Sequence, residues 1–163
     1  MREAIPLLSA RISEKAPFSS ALPDRARLID IERHTDERGT LLVPNPEIVP
    51  FPIKLSFMIT HVPTGAIRGE HAHLKSKELL WCLHGNVRVT LDDGRSHHEF
   101  VLNSPTQALY IPAKTWISMT DFSREATLLA FSSETYDPND YIRDYSGFLN
   151  LIDDYPGLGS HRN

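Results

Sequence analysis

"KELLWCLHGNVRVTLDDGRSHHEFVL", residues 77–102, is the stretch that decides the fold class. Three short runs rich in β-branched and aromatic residues, "KELLWCL", "NVRVTL" and "HHEFVL", are separated by "HGN" and "DDGR". The Asp93–Gly94 pair between two such runs is a hairpin signal, because a tight turn needs a positive φ that Gly and Asp accept. The same rhythm extends outward. "RLIDIER", "TLLVP" and "IKLSFMITHV" lie upstream, and "QALYIP", "WISM" and "ATLLAF" downstream. Turn sequences "VPTG", "LNSP" and "TDFSRE" punctuate them. Short strands with turns every eight to twelve residues or so predict a mainly β sandwich or small barrel over residues 26–135.

The flanks read differently. Residues 1–25 hold Pro6, Pro17 and Pro23 with weak periodicity, and are expected to form a loosely docked arm. Residues 136–163 are expected to hold a short helix and a tail. In "DPNDYIRDYSGFLNLIDDY", Asp137 suits an N-cap and Pro138 the first helical position. Tyr141, Tyr145, Phe148 and Ile152 then fall on one face of that helix, with a break expected near Gly147. "NLIDDY" reads as its solvated side.

Composition bounds the function. The 163 residues suffice for one domain, and 40% apolar with 23% charged content fits a soluble globular protein. No apolar run approaches the roughly 18 residues of a membrane span, and the N-terminus has no long apolar centre. No membrane role and a cytoplasmic location are the expectation. A net charge of −4 without any basic run argues against nucleic-acid binding. The single cysteine, Cys82, excludes an intrachain disulfide and a thiolate cluster, and reads as a small buried hydrophobe.

The chemistry concentrates in "RGEHAH", Arg68 to His73. In a strand, side chains at i and i+2 share a face, so His71 and His73 point together and Ala72 away. A pair of imidazoles facing one cavity suits proton transfer near neutral pH, and suits metal binding equally. His97 and His98 follow a turn and read as a solvated pair. His34, His61, His84 and His161 lack partners at a useful spacing.

The order Gly65, His71, His73, Glu78, Gly85 resembles the first motif of the cupin superfamily, a jelly-roll β-barrel. That resemblance implies His71, His73 and Glu78 as possible metal ligands. A fourth, a histidine, comes from a second motif, which here reads "IPAKTWIS". Lys114 replaces its glycine and Ile117 its histidine, so the four-ligand site is incomplete, while a two-histidine, one-carboxylate site remains chemically possible.

Together, "DERGTL", "RGEHAH", "LDDG", "PTQALYIP", "DFS" and "YDPNDYIRDYSGFL" are similar to the sugar-nucleotide 3,4-ketoisomerases, over about Ile29 to Leu149. That family resemblance implies a cofactor-free, metal-independent reaction on a dTDP-linked 4-keto-6-deoxyhexose. His71 and His73 would be the catalytic acid/base pair, their individual roles open. Arg38 and Arg68 would hold the nucleotide, with Trp116 a stacking surface for its base and Glu78 a partner that orients a histidine. It also implies a homodimer with exchanged N-terminal strands. Two departures stand out. The strand before the Arg-Gly turn reads "LSFMIT", with Phe57 and Met58 where the family is tyrosine-rich, so Tyr110 is considered as a substitute. Leu74 also intervenes between "HAH" and Lys75. The alternatives are a metal-dependent cupin using His71, His73 and Glu78, a non-catalytic sugar-nucleotide binding module, and a 3,5-epimerase.

Overall fold

A computed structural model of the chain describes residues 25–154. The arm expected over residues 1–25, Arg25 apart, and the tail beyond Asp154 lie outside the described residues.

Two antiparallel five-stranded sheets face each other. The first runs β1 (Arg27–Asp30), β9 (Gln107–Ile111), β6 (Glu78–His84), β11 (Thr127–Ser132) and β4 (Leu55–Thr60). The second runs β12 (Tyr141–Ile142), β5 (Arg68–His73), β10 (Trp116–Thr120), β7 (Val87–Asp92) and β8 (His97–Leu102). From β4 to β12 successive strands cross between the sheets, the β7–β8 hairpin apart, giving the expected cupin-like jelly roll. β2 (Glu32–Asp36) and β3 (Gly39–Val43) form a separate, largely exposed hairpin. No helix among the described residues is long and apolar enough to cross a membrane.

The opening stretch shows why these residues fold this way. Leu80 and Cys82 of β6 join Val87, Val89, Leu91 and Ile117 in the core between the sheets. Leu79 and Trp81, facing the other way, are buried too, under Val49 and Phe51. β6 is covered on both faces, so its sequence is a continuous apolar run rather than an alternation. Each fully buried leucine there contributes about 1.5–3 kcal/mol of transfer free energy. Trp81 satisfies its one polar atom by donating Nε1–H to the Pro105 carbonyl at 2.7 Å. At the β7–β8 hairpin, Gly94 has φ 82° and the Asp93 carboxylate accepts from the Arg95 and Ser96 amides.

Two expectations need correction. "RLIDIER" is two strands, not one: the Ile31 amide still bonds to Thr106, but beyond it the chain leaves the sheet and pairs as β2 with β3. The C-terminal helix, α1 (Tyr145–Asp153), begins later than expected and is unbroken at Gly147. Asp137 and Pro138 do cap a helical turn, but only a 3-10 turn of three residues. Asp144 then caps α1 by accepting from the Gly147 amide at 2.7 Å. Tyr141, between the two caps, is extended and pairs with β5. α1 lies against the outer side of the second sheet, where the fully buried Phe148 and the partly exposed Tyr145 contact Trp116.

Candidate active site

β5 lies between β12 and β10, and the register fixes what its side chains meet. Ile117, a core residue, is opposite His71, and Tyr141 is opposite His73. Residues directly opposite share a face. Both histidines therefore point inward, as the i, i+2 spacing predicts, with ring centroids 5.0 Å apart and nearly perpendicular. The strand bends just before them: Gly69 and Glu70 both have positive φ, and the β5–β10 register shifts there. A side chain could not replace the Gly69 hydrogen, since a Cβ would sit 2.7 Å from the Ile117 carbonyl oxygen.

The two rings are held differently. His71 Nδ1 lies 3.0 Å from the Gly69 carbonyl oxygen, which can only accept, so Nδ1 carries the proton and Nε2 keeps its lone pair. His73 is 7% exposed. Its Nδ1 lies 3.0 Å from Asp140 Oδ2, and its Nε2 lies 3.5 Å from Glu78 Oε1 without a hydrogen bond. The Asp140 carboxylate also accepts from the Lys75 amide at 2.7 Å, the Ser76 amide at 3.2 Å and the Ser76 hydroxyl. The Tyr141 ring stands 4.4 Å from His73 and 5.0 Å from His71, with the Arg143 guanidinium over its far side.

Electrostatics separates the imidazoles further. Burial holds the His71 pKa below the usual imidazole value, and nearby His73 adds to this, outweighing the Gly69 bond. Burial would lower His73 as well, but the Glu78 and Asp140 carboxylates outweigh it and raise its pKa. Burial, with Glu78 next, raises the Tyr141 phenol and keeps it neutral. Despite burial, three donors from Lys75 and Ser76, with the neighbouring His73 imidazole, hold the Asp140 carboxyl below the usual range. The surroundings thus bias the pair in opposite directions, His71 toward a neutral ring with a free acceptor nitrogen and His73 toward a charged donor ring.

Of the residues singled out in the sequence, His71, His73 and Glu78 converge. Arg68 opens β5 and is exposed. Arg38 sits at the turn of the β2–β3 hairpin, 86% exposed in its side chain and bound to Asp36, apart from the histidine cluster within this chain. Two aromatic expectations are corrected. Tyr110 is buried among Phe51, Leu79 and Trp81 on the outer side of the first sheet, so it cannot replace the missing tyrosine. Trp116 is packed under α1 on the outer side of the second sheet and offers no face to a base in the barrel. In both cases strand alternation turns the neighbours, Leu109 and Ile117, into the interior instead.

Two site residues escaped sequence reasoning, Asp140 and Tyr141. Both lie in "YDPNDYIRDYSGFL", but the helical spacing of its aromatics masked them. The fourth cupin ligand position is filled by the apolar Ile117, and among the described residues no group of three His, Cys, Asp or Glu side chains is arranged so that it could hold a metal ion. The donor set does not fit a four-ligand cupin metal site.

Known proteins place the fold. The family described as FdtA, WxcM-like, C-terminal, matches residues 24–153. The TDP-4-oxo-6-deoxy-α-D-glucose-3,4-oxoisomerase of Aneurinibacillus thermoaerophilus is 37% identical over 127 residues, 77% of this chain and 91% of that protein. The sugar 3,4-ketoisomerase QdtA of Thermoanaerobacterium thermosaccharolyticum, solved with TDP, superposes with a TM-score of 0.77 at 34% identity, covering 80% of this chain and 96% of that one. A histidine-to-asparagine variant of QdtA, solved with TDP-4-keto-6-deoxyglucose, superposes with a TM-score of 0.78 at 32% identity, covering 85% and 100%. With a family match spanning most of its length and homologues that are 3,4-ketoisomerases, this chain belongs to the FdtA, WxcM-like C-terminal family.

Proposed function

We propose that this chain moves the keto group of a dTDP-linked 4-keto-6-deoxyhexose from C4 to C3. The observation that carries it is the pair of inward imidazoles, 5.0 Å apart, with His71 Nδ1 held by a backbone carbonyl and His73 Nδ1 by a carboxylate, which biases them toward opposite protonation states. The C4 carbonyl acidifies the proton on C3. His71 Nε2, with its free lone pair, takes that proton. The electron pair moves into the C3–C4 bond, and the C4 carbonyl oxygen accepts a proton from His73. The 3-hydroxyl then returns a proton to His73 as its oxygen becomes the new carbonyl, and His71 delivers its proton to C4. Atoms and charge balance, and no redox cofactor enters. Each positioned acid or base is worth about 10²–10⁴ in rate, and a preorganised donor at His73 offsets the negative charge that develops on the C4 oxygen as the enediol forms.

Arg38 and Arg68 are proposed to hold the diphosphate, through the donor fork and permanent charge of arginine. Arg38 reaches a site if the β2–β3 hairpin is exchanged in a homodimer. Two features support that. The hairpin exposes Leu41 at 62%, and β4, an edge of the first sheet, exposes Phe57 and Met58. A cytoplasmic enzyme is consistent with such a substrate.

The test is incubation with dTDP-4-keto-6-deoxyglucose in deuterium oxide. Deuterium at C3 or C4 and a 3-keto product are expected. His71→Asn and His73→Asn should each lower the rate by about 10²-fold or more. No exchange by the wild-type protein refutes the proposal, and exchange at C3 and C5 together would make it an epimerase.

A further inference from the structure

We propose that Asp140 is a positioning residue: it holds the Nδ1–H of His73, so that Nε2 is the nitrogen turned to the substrate. The role rests on the ketoisomerase reading for its catalytic consequence, but not for its chemistry.

The geometry carries it. His73 Nε2 is buried and has no hydrogen-bond partner, while Nδ1 is occupied at 3.0 Å by Asp140. An imidazole held at one nitrogen by a carboxylate has its tautomer and its ring orientation set from that side. The remaining nitrogen is the one left to react. Asp140 can do this because its own position is over-determined. The Lys75 and Ser76 amides and the Ser76 hydroxyl, all from the loop just after β5, converge on the same carboxylate. The Leu74 amide also donates to the Asp140 carbonyl at 2.8 Å. The acid thus comes from the C-terminal segment but is anchored to the strand that bears the histidines.

A purely structural role is the competing explanation, since these bonds also staple the two segments together. The two differ in what an amide would do. A carboxylate only accepts, so it requires a proton on Nδ1. The amide of an asparagine presents an acceptor and a donor: its oxygen can keep the Lys75 amide while its NH2, in the place of Oδ2, donates to Nδ1 and to the Ser76 hydroxyl oxygen, giving up only the 3.2 Å bond from the Ser76 amide. The staple largely survives, yet Nδ1 loses its proton. Other groups also face His73: Glu78 from β6, His71 on its own strand and Tyr141 from β12. Glu134 and Asp137 line the same pocket. Those groups are unchanged in the variant.

The experiment is a ¹⁵N titration of the His73 ring in wild-type protein and in Asp140→Asn, without substrate, alongside pH profiles of kcat. The variant should lose charge on His73 at a lower pH than the wild type. The alkaline limb of its kcat profile should move with it, and kcat should fall by about 10²-fold. Affinity for TDP should stay within twofold. A folded variant whose His73 titrates where the wild type does overturns the proposal, even if its melting temperature drops. Should the variant not fold, wild-type protein decides. On deprotonation, His73 must keep the proton on Nδ1, and retention on Nε2 refutes the role. The ring titration needs no turnover, so a protein inactive on the 4-keto sugar would refute the function without touching this result.

Discussion

Replacing Gly69 by alanine tests whether the bend before the histidines is required by backbone contact. Gly69 has φ +84°, and an added Cβ would lie 2.7 Å from the Ile117 carbonyl oxygen and 3.2 Å from its carbon. Two costs are expected. The left-handed backbone costs an L-residue about 1–2 kcal/mol. The clash is with backbone, which cannot swing away, so β5 and β10 must separate by several tenths of an ångström at a buried seam. Forced shifts of that kind cost about 1–3 kcal/mol. The sum is about 2–5 kcal/mol. Gly65→Ala is the control. Gly65 has φ +80°, but nothing lies within 4 Å of its added Cβ, so only the first cost applies. Urea denaturation of both variants isolates the difference, about 1–3 kcal/mol against the Gly69 variant. Turnover should separate them as well. The Gly69 carbonyl accepts from His71 Nδ1, so moving it disturbs the proposed base, while Gly65→Ala keeps near-normal kcat. Equal destabilisation by the two substitutions would show that the close approach of β5 and β10 costs nothing and would refute the reasoning.

Four more outcomes are expected. The kcat profile of the wild type should be bell-shaped: its acid limb falls below the usual imidazole pKa of about 6.5, where His71 gains a proton, and its alkaline limb lies above it, where His73 loses one. The same raised His73 value contributes stability that is complete below about pH 6.5 and is lost as pH rises through the folded-state pKa, which thermal melts across that range would show. Lys114 stands at φ 58° where the cupin motif has glycine, so Lys114→Gly should raise stability by about 1 kcal/mol in denaturant titrations. If the β2–β3 hairpins are exchanged, mixing inactive Arg38→Ala and His73→Asn subunits through mild unfolding and refolding should restore about a quarter of wild-type sites, as random pairing of two subunit types requires.

The strands were legible because burial writes itself on a strand as alternation, or as a solid apolar run where both faces are covered, as in β6. "HHEFVL" and β8 coincide, and most other boundaries shift by only a residue or two. His71 and His73 were legible for the same reason, since their common face follows from spacing alone. What could not be read was which face of one strand meets which face of another. Tyr110 and Trp116 were singled out by residue type, yet each points away from the barrel interior. Asp140 and Tyr141 were hidden by competition between two periodicities. The aromatic spacing after Pro138 fits a helix, but Asp144 caps α1 four residues past Asp140, and the residues between return to a strand. Arg38 lies in an exposed hairpin that leaves both sheets, and spacing in the sequence does not say what such a hairpin meets.

The late position of β12 bears on biosynthesis. Both imidazoles have been incorporated by residue 73, and nearly all of the core by residue 131. The acid that grips one ring and the phenol that stands between them come only near residue 140. A nascent chain arrested before that point could close most of its barrel yet remain chemically mute. On the proposed reading, catalytic competence waits for a segment translated after the barrel core.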